Sequence, residues 1–108
     1  MDYEQTVAAL MEFIGRPVYV LIAFGELPDM RALATMRGTL ERATVNEAYQ
    51  QHFDAEGETL FFKVGDDGFF TVSSRDLASS EWAEGDRSSL RMRFGPCETQ
   101  VFLDPEVA

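Results

Sequence analysis

The pattern of apolar and polar residues predicts a chain that opens with one helix and continues as strands. After Asp2, a favourable N-cap, apolar residues recur at helical spacing until Gly15 and Pro17 end the pattern. We therefore expect a helix over residues 3–14. Beyond it, alternating or continuous runs of apolar, β-branched and aromatic residues predict strands. Their expected ranges are 18–24, 30–41, 58–64, 69–73, 78–82, 89–94 and 99–103.

The strongest hairpin signal lies in residues 60–72, where two apolar runs flank a turn rich in glycine and aspartate. A three-residue loop over residues 66–68 would pair Val64 with Phe70. This register is favoured because it places most of the large apolar residues on one face. It also predicts a left-handed backbone at Gly68, which three-residue hairpin loops require. The apolar face would consist of Leu60, Phe62, Val64, Phe70 and Val72.

Two further signals concern strand geometry. Gly38 lies inside the long predicted strand 30–41, which indicates a bend or a close approach of another backbone. The last two strands predict a second hairpin, in which pairing Phe94 with Thr99 gives one apolar face. Both features suit a sheet that curves strongly.

Residues 45–57 leave two alternatives open. Asn46 is a favourable N-cap, and a short helix beginning there would carry Tyr49 and Phe53. The other alternative is an acidic loop exposed to solvent. An extended backbone would place three metal-capable side chains on one face, although we assign no metal. These side chains are His52, Asp54 and Glu56.

The acidic composition limits the classes of function. Nine basic residues against nineteen acidic ones give a formal charge of −10, which disfavours nucleic-acid backbones and bilayer surfaces. Cys97 is the one cysteine of the sequence, so no intrachain disulfide forms, and no apolar run is long enough to span a bilayer. We expect a cytoplasmic protein with a single domain over residues 1–108.

Residues 2–82 contain a series of segments in a characteristic order. The capped helix is followed by Gly15-Arg16-Pro17-Val18-Tyr19-Val20, Met36-Arg37-Gly38-Thr39-Leu40, Phe70-Thr71-Val72, a tight turn at Arg75-Asp76-Leu77 and a short strand to Trp82. This order resembles the Sm-like (LSm) barrel family. The resemblance implies a bent five-stranded sheet behind an N-terminal helix, and assembly into a ring or dimer. We therefore expect a mainly β fold: a small, Sm-like, strongly bent antiparallel barrel with an N-terminal helix and an extra C-terminal β-hairpin.

The RNA-binding positions of that family are matched only in part. Sm-like proteins have an Asp and Asn pair after the second strand and an Arg-Gly near the fourth. This sequence has Thr44-Val45-Asn46 at the first place and Ser74-Arg75-Asp76 at the second. RNA binding is therefore the alternative function. It would use the arginines of two predicted strand faces, Arg31, Arg37, Arg91 and Arg93.

No motif in the sequence indicates catalysis. Cys97 lies in a predicted turn without a basic neighbour, and His52 is the lone histidine that could serve as its base. A phosphate-binding glycine loop and a nucleophile elbow are both absent from the sequence. We expect a non-enzymatic protein without a cofactor.

Three phenylalanines predict an interface. Phe61 and Phe69 fall on the outer face of the first hairpin, and Phe102 falls on the outer face of the second. Because contiguous apolar patches are uncommon on monomers, we expect a cover, either the helix over residues 3–14 or a second subunit. We favour the subunit. The preferred function is an interaction or assembly module that acts by self-association or protein-partner binding, as a homo-oligomer.

Overall fold

A single sheet of antiparallel strands is the main structural element of the protein. The computed structural model describes residues 1–83 and 85–104, and seven strands and two helices lie within that part of the chain. The mainly β fold with an N-terminal helix and a C-terminal hairpin is confirmed. The elements are α1 (Tyr3–Met11), β1 (Pro17–Phe24), β2 (Arg31–Arg42), α2 (Glu47–Asp54), β3 (Thr59–Val64), β4 (Gly68–Ser73), β5 (Ser79–Trp82), β6 (Ser89–Phe94) and β7 (Cys97–Leu103).

The sheet is bent but does not close into a barrel. Its strands follow the order β4-β3-β2-β1-β7-β6-β5, so β1 lies at the centre and β4 and β5 are the two ends. The terminal strands β6 and β7 extend the sheet between β1 and β5. No helix in the described residues is long and apolar enough to cross a membrane.

The bend occurs within β2. The strand pairs with β1 as far as Thr39, but it meets β3 only through Leu40, Glu41 and Arg42. At the junction, Gly38 has a φ of +153°, and a Cβ built on it would lie 2.5 Å from the Cα of Gly65. The close backbone approach predicted at Gly38 is confirmed, and it brings the β3–β4 hairpin across one part of the sheet.

The predicted register of the β3–β4 hairpin is wrong by two residues. Val64 pairs with Gly68 rather than with Phe70, so the loop covers residues 65–67. The left-handed residue is Gly65, at a φ of +64°, and not Gly68. The reason is tertiary: the Gly65 amide donates to the carbonyl of Thr39, which fixes the turn against β2. A slip of two keeps each side chain on its face, so the predicted apolar face is correct.

The predicted register of the terminal hairpin is also wrong by two residues. Phe94 pairs with Cys97 rather than with Thr99, across a two-residue loop. Gly95 has a φ of +59°, and the following Pro96 cannot adopt a positive φ, which together indicate a type II′ turn. The sequence favours a four-residue loop over residues 95–98, whereas the observed loop has two residues, 95 and 96.

Helix α1 covers one end of the core. Leu10 of the helix and Phe13, shortly after its end, are fully buried, whereas Met11 is exposed. The polar Thr6 is also buried. Its hydroxyl can be buried at little cost because it hydrogen-bonds to the Ser80 side chain. The helix ends at Met11, three residues before the predicted end.

Residues 47–54 form the short helix that was one of the two alternatives. The Asn46 side chain accepts a hydrogen bond from the amide of Tyr49 at 2.8 Å, as expected of an N-cap. The helix packs on β3, where the Phe53 ring meets the Phe61 ring edge-on at 5.4 Å. This contact places α2 beside the β3–β4 hairpin.

Candidate interaction surface

Strand β4 has an edge whose backbone groups have no strand partner among residues 1–83 and 85–104. The Ser74 amide donates to the carbonyl of Glu58, and alternation along the ladder turns the even-numbered residues of β4 towards β3. Phe69 and Thr71 therefore direct both their N–H and C=O groups away from the sheet. Ser73 presents its N–H in the same direction, while its carbonyl accepts from Leu77 at 3.0 Å. A further strand could pair with this edge.

The two other exposed edges carry protecting features. At β5, the N-terminal ammonium of Met1 donates to the outward carbonyl of Ser80 at 2.8 Å. The first part of β2 bears Arg31 and Arg37, and its pairing with β1 is interrupted by an irregularity next to Ile22. Charges, bulges and covering segments all discourage edge-to-edge pairing. In β4, the residues whose backbone groups point away from the sheet are Phe69, Thr71 and Ser73. None of them is charged, so this edge lacks comparable protection.

An apolar groove of about 640 Å³ runs along β4. One wall is formed by Phe69 and Phe70 of the edge strand. Ile22 of β1 and Phe94 of β6, which pack against the core, also line the groove. The groove is thus a consequence of the open sheet.

A smaller pocket of about 480 Å³ lies at the C-terminal end of β4, beside α2. Its lining includes Phe53 of the helix and Thr71 and Ser73 of the edge strand. Arg75 lies at its rim and forms ion pairs with Glu56 and Asp76. The groove and the pocket share Thr71, Ser73 and Asp76. Both therefore adjoin the same part of the exposed β4 edge.

Two of the three predicted interface phenylalanines lie at this surface. Phe69 has 58% of its surface exposed, and Phe61 is half-buried; both line the groove. Phe102 is not among the groove residues and instead contacts the Tyr19 ring at 6.0 Å. Helix α2 covers part of the Phe61 ring through the Phe53 ring. The N-terminal helix α1 does not provide this cover, because it packs against the core.

Sequence reasoning missed Ile22 and Phe94 as surface residues. The sequence places Phe94 on the apolar face of the second hairpin, and Ile22 in a continuously apolar strand that other elements cover on both faces. Their partial exposure depends on how far the β3–β4 hairpin extends over the sheet, and no local signal contains that information. For Phe53, the N-cap at Asn46 was a usable signal, because it predicts the helix that carries this ring.

Most of the arginines assigned to the RNA-binding alternative are paired with carboxylates. Arg91 lies 2.9 Å from Glu98, and Arg37 lies 2.9 Å from Asp104. Arg93 lies 3.6 Å from Glu26 and donates to the carbonyl of Gly25; Arg31 is exposed. Arg91 and Arg93 line a polar cavity of about 340 Å³ together with Glu26, Glu81 and Glu98. The carboxylates there outnumber the arginines, so the cavity is not a basic patch.

The metal-capable side chains of residues 52–56 do not share a face. His52 is helical, and the Asp54 carboxylate accepts hydrogen bonds from Thr59 and Gln50. Glu56 pairs with Arg75. Within the described residues, no group of three His, Cys, Asp or Glu side chains is arranged to hold a metal ion. The other candidate, Cys97, is half-buried at the start of β7.

Among the side chains that the structure describes, two have a shifted pKa, and neither lines the groove. Burial and a 2.9 Å hydrogen bond to Glu58 raise the pKa of Tyr3, so its phenol stays protonated and links α1 to the start of β3. Hydrogen bonds from Ser88 lower the pKa of the Asp86 carboxyl. Both shifts are explained by local structural contacts.

Comparison with protein-family models, curated proteins and solved structures gave no significant match. The Sm-like resemblance therefore stays a prediction. The surface beside β4 is interpreted from its own geometry, charge and exposure.

Proposed function

We propose that this protein is a non-enzymatic assembly module that self-associates through the open edge of β4. The observation that carries the proposal is an unprotected edge strand with an apolar groove beside it and an exposed aromatic ring, Phe69, upon it. Main-chain hydrogen bonds of Phe69 and Thr71 would supply affinity. The groove would supply the selectivity for side chains.

Charge supports a protein surface rather than an RNA surface at this edge. Asp66 and Asp67 form the turn before β4, and Asp76 lies after it. Single-stranded RNA needs clustered cations that release counterions. No observation favours the RNA-binding alternative. A cytoplasmic location suits the proposal, because the free Cys97 is compatible with a reducing compartment.

Replacing Phe69 with Ser should weaken self-association strongly. The wild type is expected to show a mass above that of the monomer in light scattering at micromolar concentrations. The variant should shift the association midpoint at least about tenfold, since truncation of a central aromatic residue costs about 2 kcal/mol or more at an interface. Its circular dichroism should stay native, because Phe69 is largely exposed in the monomer.

Phe24→Ser is the matched control, since Phe24 is also exposed, at 47%, and is not a groove residue. It should leave the mass unchanged. Raising the ionic strength should strengthen the association, because each copy carries a formal charge of −10 that salt screens. A wild type that stays monomeric at high micromolar concentration in both low and high salt would refute self-association.

A further inference from the structure

We infer that two copies pair their β4 strands antiparallel about a twofold axis at Thr71 and form a closed dimer. This inference rests on the proposed self-association and specifies its geometry. A twofold axis brings the same surface of both molecules together, so any favourable contact is made twice. Two features of the β4 edge favour this register.

The first feature is the set of outward backbone groups. Only residues whose N–H and C=O groups point away from β3 can form the hydrogen-bonded pairs of a new antiparallel ladder. In β4 these residues are Phe69, Thr71 and Ser73. With Thr71 opposite Thr71 of the second copy, Phe69 lies opposite Ser73 in both directions. This register engages all three outward residues. The free groups form about four hydrogen bonds, because the Ser73 carbonyl already accepts from Leu77.

The second feature is the position of the pocket next to α2. Phe69 of one copy, opposite Ser73 of the other, is directed towards the side of β4 that bears the 480 Å³ pocket. Thr71, Ser73 and Phe53 line this pocket, and its lining mixes apolar and polar groups. The exposed ring of Phe69 would enter it and meet the Phe53 ring, and the twofold axis repeats the contact. The exposed Phe69 ring of each copy would thus be buried in the pocket of the other copy.

Charge does not select this register. Asp67 of one copy would lie opposite Arg75 of the other, but that guanidinium already pairs with Glu56 and Asp76 of its own chain. The Thr71-centred register therefore rests on hydrogen bonding and side-chain fit.

The protected edges explain why the assembly would stop at two copies. An open chain of subunits would require β4 to pair with β2 or β5 of the next copy. Met1 occupies the outward carbonyl of Ser80 in β5, and the β2 edge carries arginines and an irregular pairing. Pairing β4 with itself uses up the edge that lacks such protection.

Cysteine cross-linking tests the register. In a Cys97→Ser background, Thr71→Cys should cross-link into dimers with a short bismaleimide, because residues of a hydrogen-bonded antiparallel pair have Cα atoms about 5.5 Å apart. The control is Thr35→Cys, since Thr35 is equally exposed and lies at the open edge of β2. It should give background cross-linking only. No species larger than a dimer should appear with Thr71→Cys.

A second pair of variants checks the same register without placing a cysteine on the axis. A mixture of Phe69→Cys and Ser73→Cys chains should cross-link more than either chain alone, at a concentration above the raised association midpoint expected when the Phe69 ring is lost. If the wild type has a dimer mass but Thr71→Cys gives only background, the register is wrong while self-association stands. If Thr35→Cys cross-links instead, β2 is the interface strand, which also overturns the inference. A monomeric wild type refutes the proposed function together with this dimer.

Discussion

Gly38→Ala should destabilise the fold by about 3 kcal/mol, through positive-φ strain together with overpacking. A Cβ at this position would lie 2.5 Å from the Cα of Gly65 and 2.7 Å from its nitrogen. Both atoms belong to the backbone, so the clash can be relieved only by moving the β3–β4 hairpin away from β2. That movement would also weaken the hydrogen bond from Gly65 to Thr39.

Urea unfolding at a fixed protein concentration measures this effect as a lower midpoint. Gly85→Ala is the matched control, because a Cβ on Gly85 meets no atom within 4 Å. It should change the free energy of unfolding by no more than about 0.5 kcal/mol. Equal midpoints for Gly38→Ala and the wild type would mean that β2 and β3 do not approach each other in this way.

Phe62→Ala should cost about 3–5 kcal/mol, the range for removing a buried phenylalanine from a core. Its side chain is fully buried, and its ring stacks on Phe70 at a centroid distance of 5.2 Å. The two rings face each other across β3 and β4 because the residues are direct partners in the ladder. Removing one ring leaves a cavity that the strands cannot collapse to fill.

The same unfolding experiment separates the observed register from the predicted one. A double-mutant cycle between Phe62→Leu and Phe70→Leu should give a coupling of about 0.5–1.5 kcal/mol, as for other aromatic pairs. Phe24→Ala, at an exposed position, should have a small effect on the midpoint. Loss of coupling between Phe62 and Phe70 would contradict the stacked pair.

The sequence was sufficient to predict strand positions and the faces of side chains, but not strand registers. Alternation assigns each residue to the inner or outer face, and a slip of two residues leaves that assignment unchanged. Both hairpins differ from their predicted registers by two residues. In the first, the register depends on the contact of Gly65 with Gly38, two residues that are distant along the chain. A contact of this kind leaves no trace in local patterns.

Only part of the candidate surface was predictable, because alternation assigns side chains to faces but does not determine which faces adjoin. Phe61 and Phe69 were correctly expected on the outer face of the first hairpin, since period-two alternation decides that. Phe102 was grouped with them, but in the structure its ring packs on Tyr19, which β1 carries. The order of strands in the sheet determines which outer faces adjoin, and hydrophobic patterns do not specify that order.

The most direct test of self-association through β4 is hydrogen exchange of individual backbone amides, followed by NMR as the protein concentration is raised. We predict that the amides of Phe69, Thr71 and Ser73 exchange more slowly at higher concentration, because a second β4 strand covers them. The amide of Thr35, at the open edge of β2, should keep the same rate. Fast exchange of Phe69 and Thr71 at every concentration up to high micromolar would contradict the proposal.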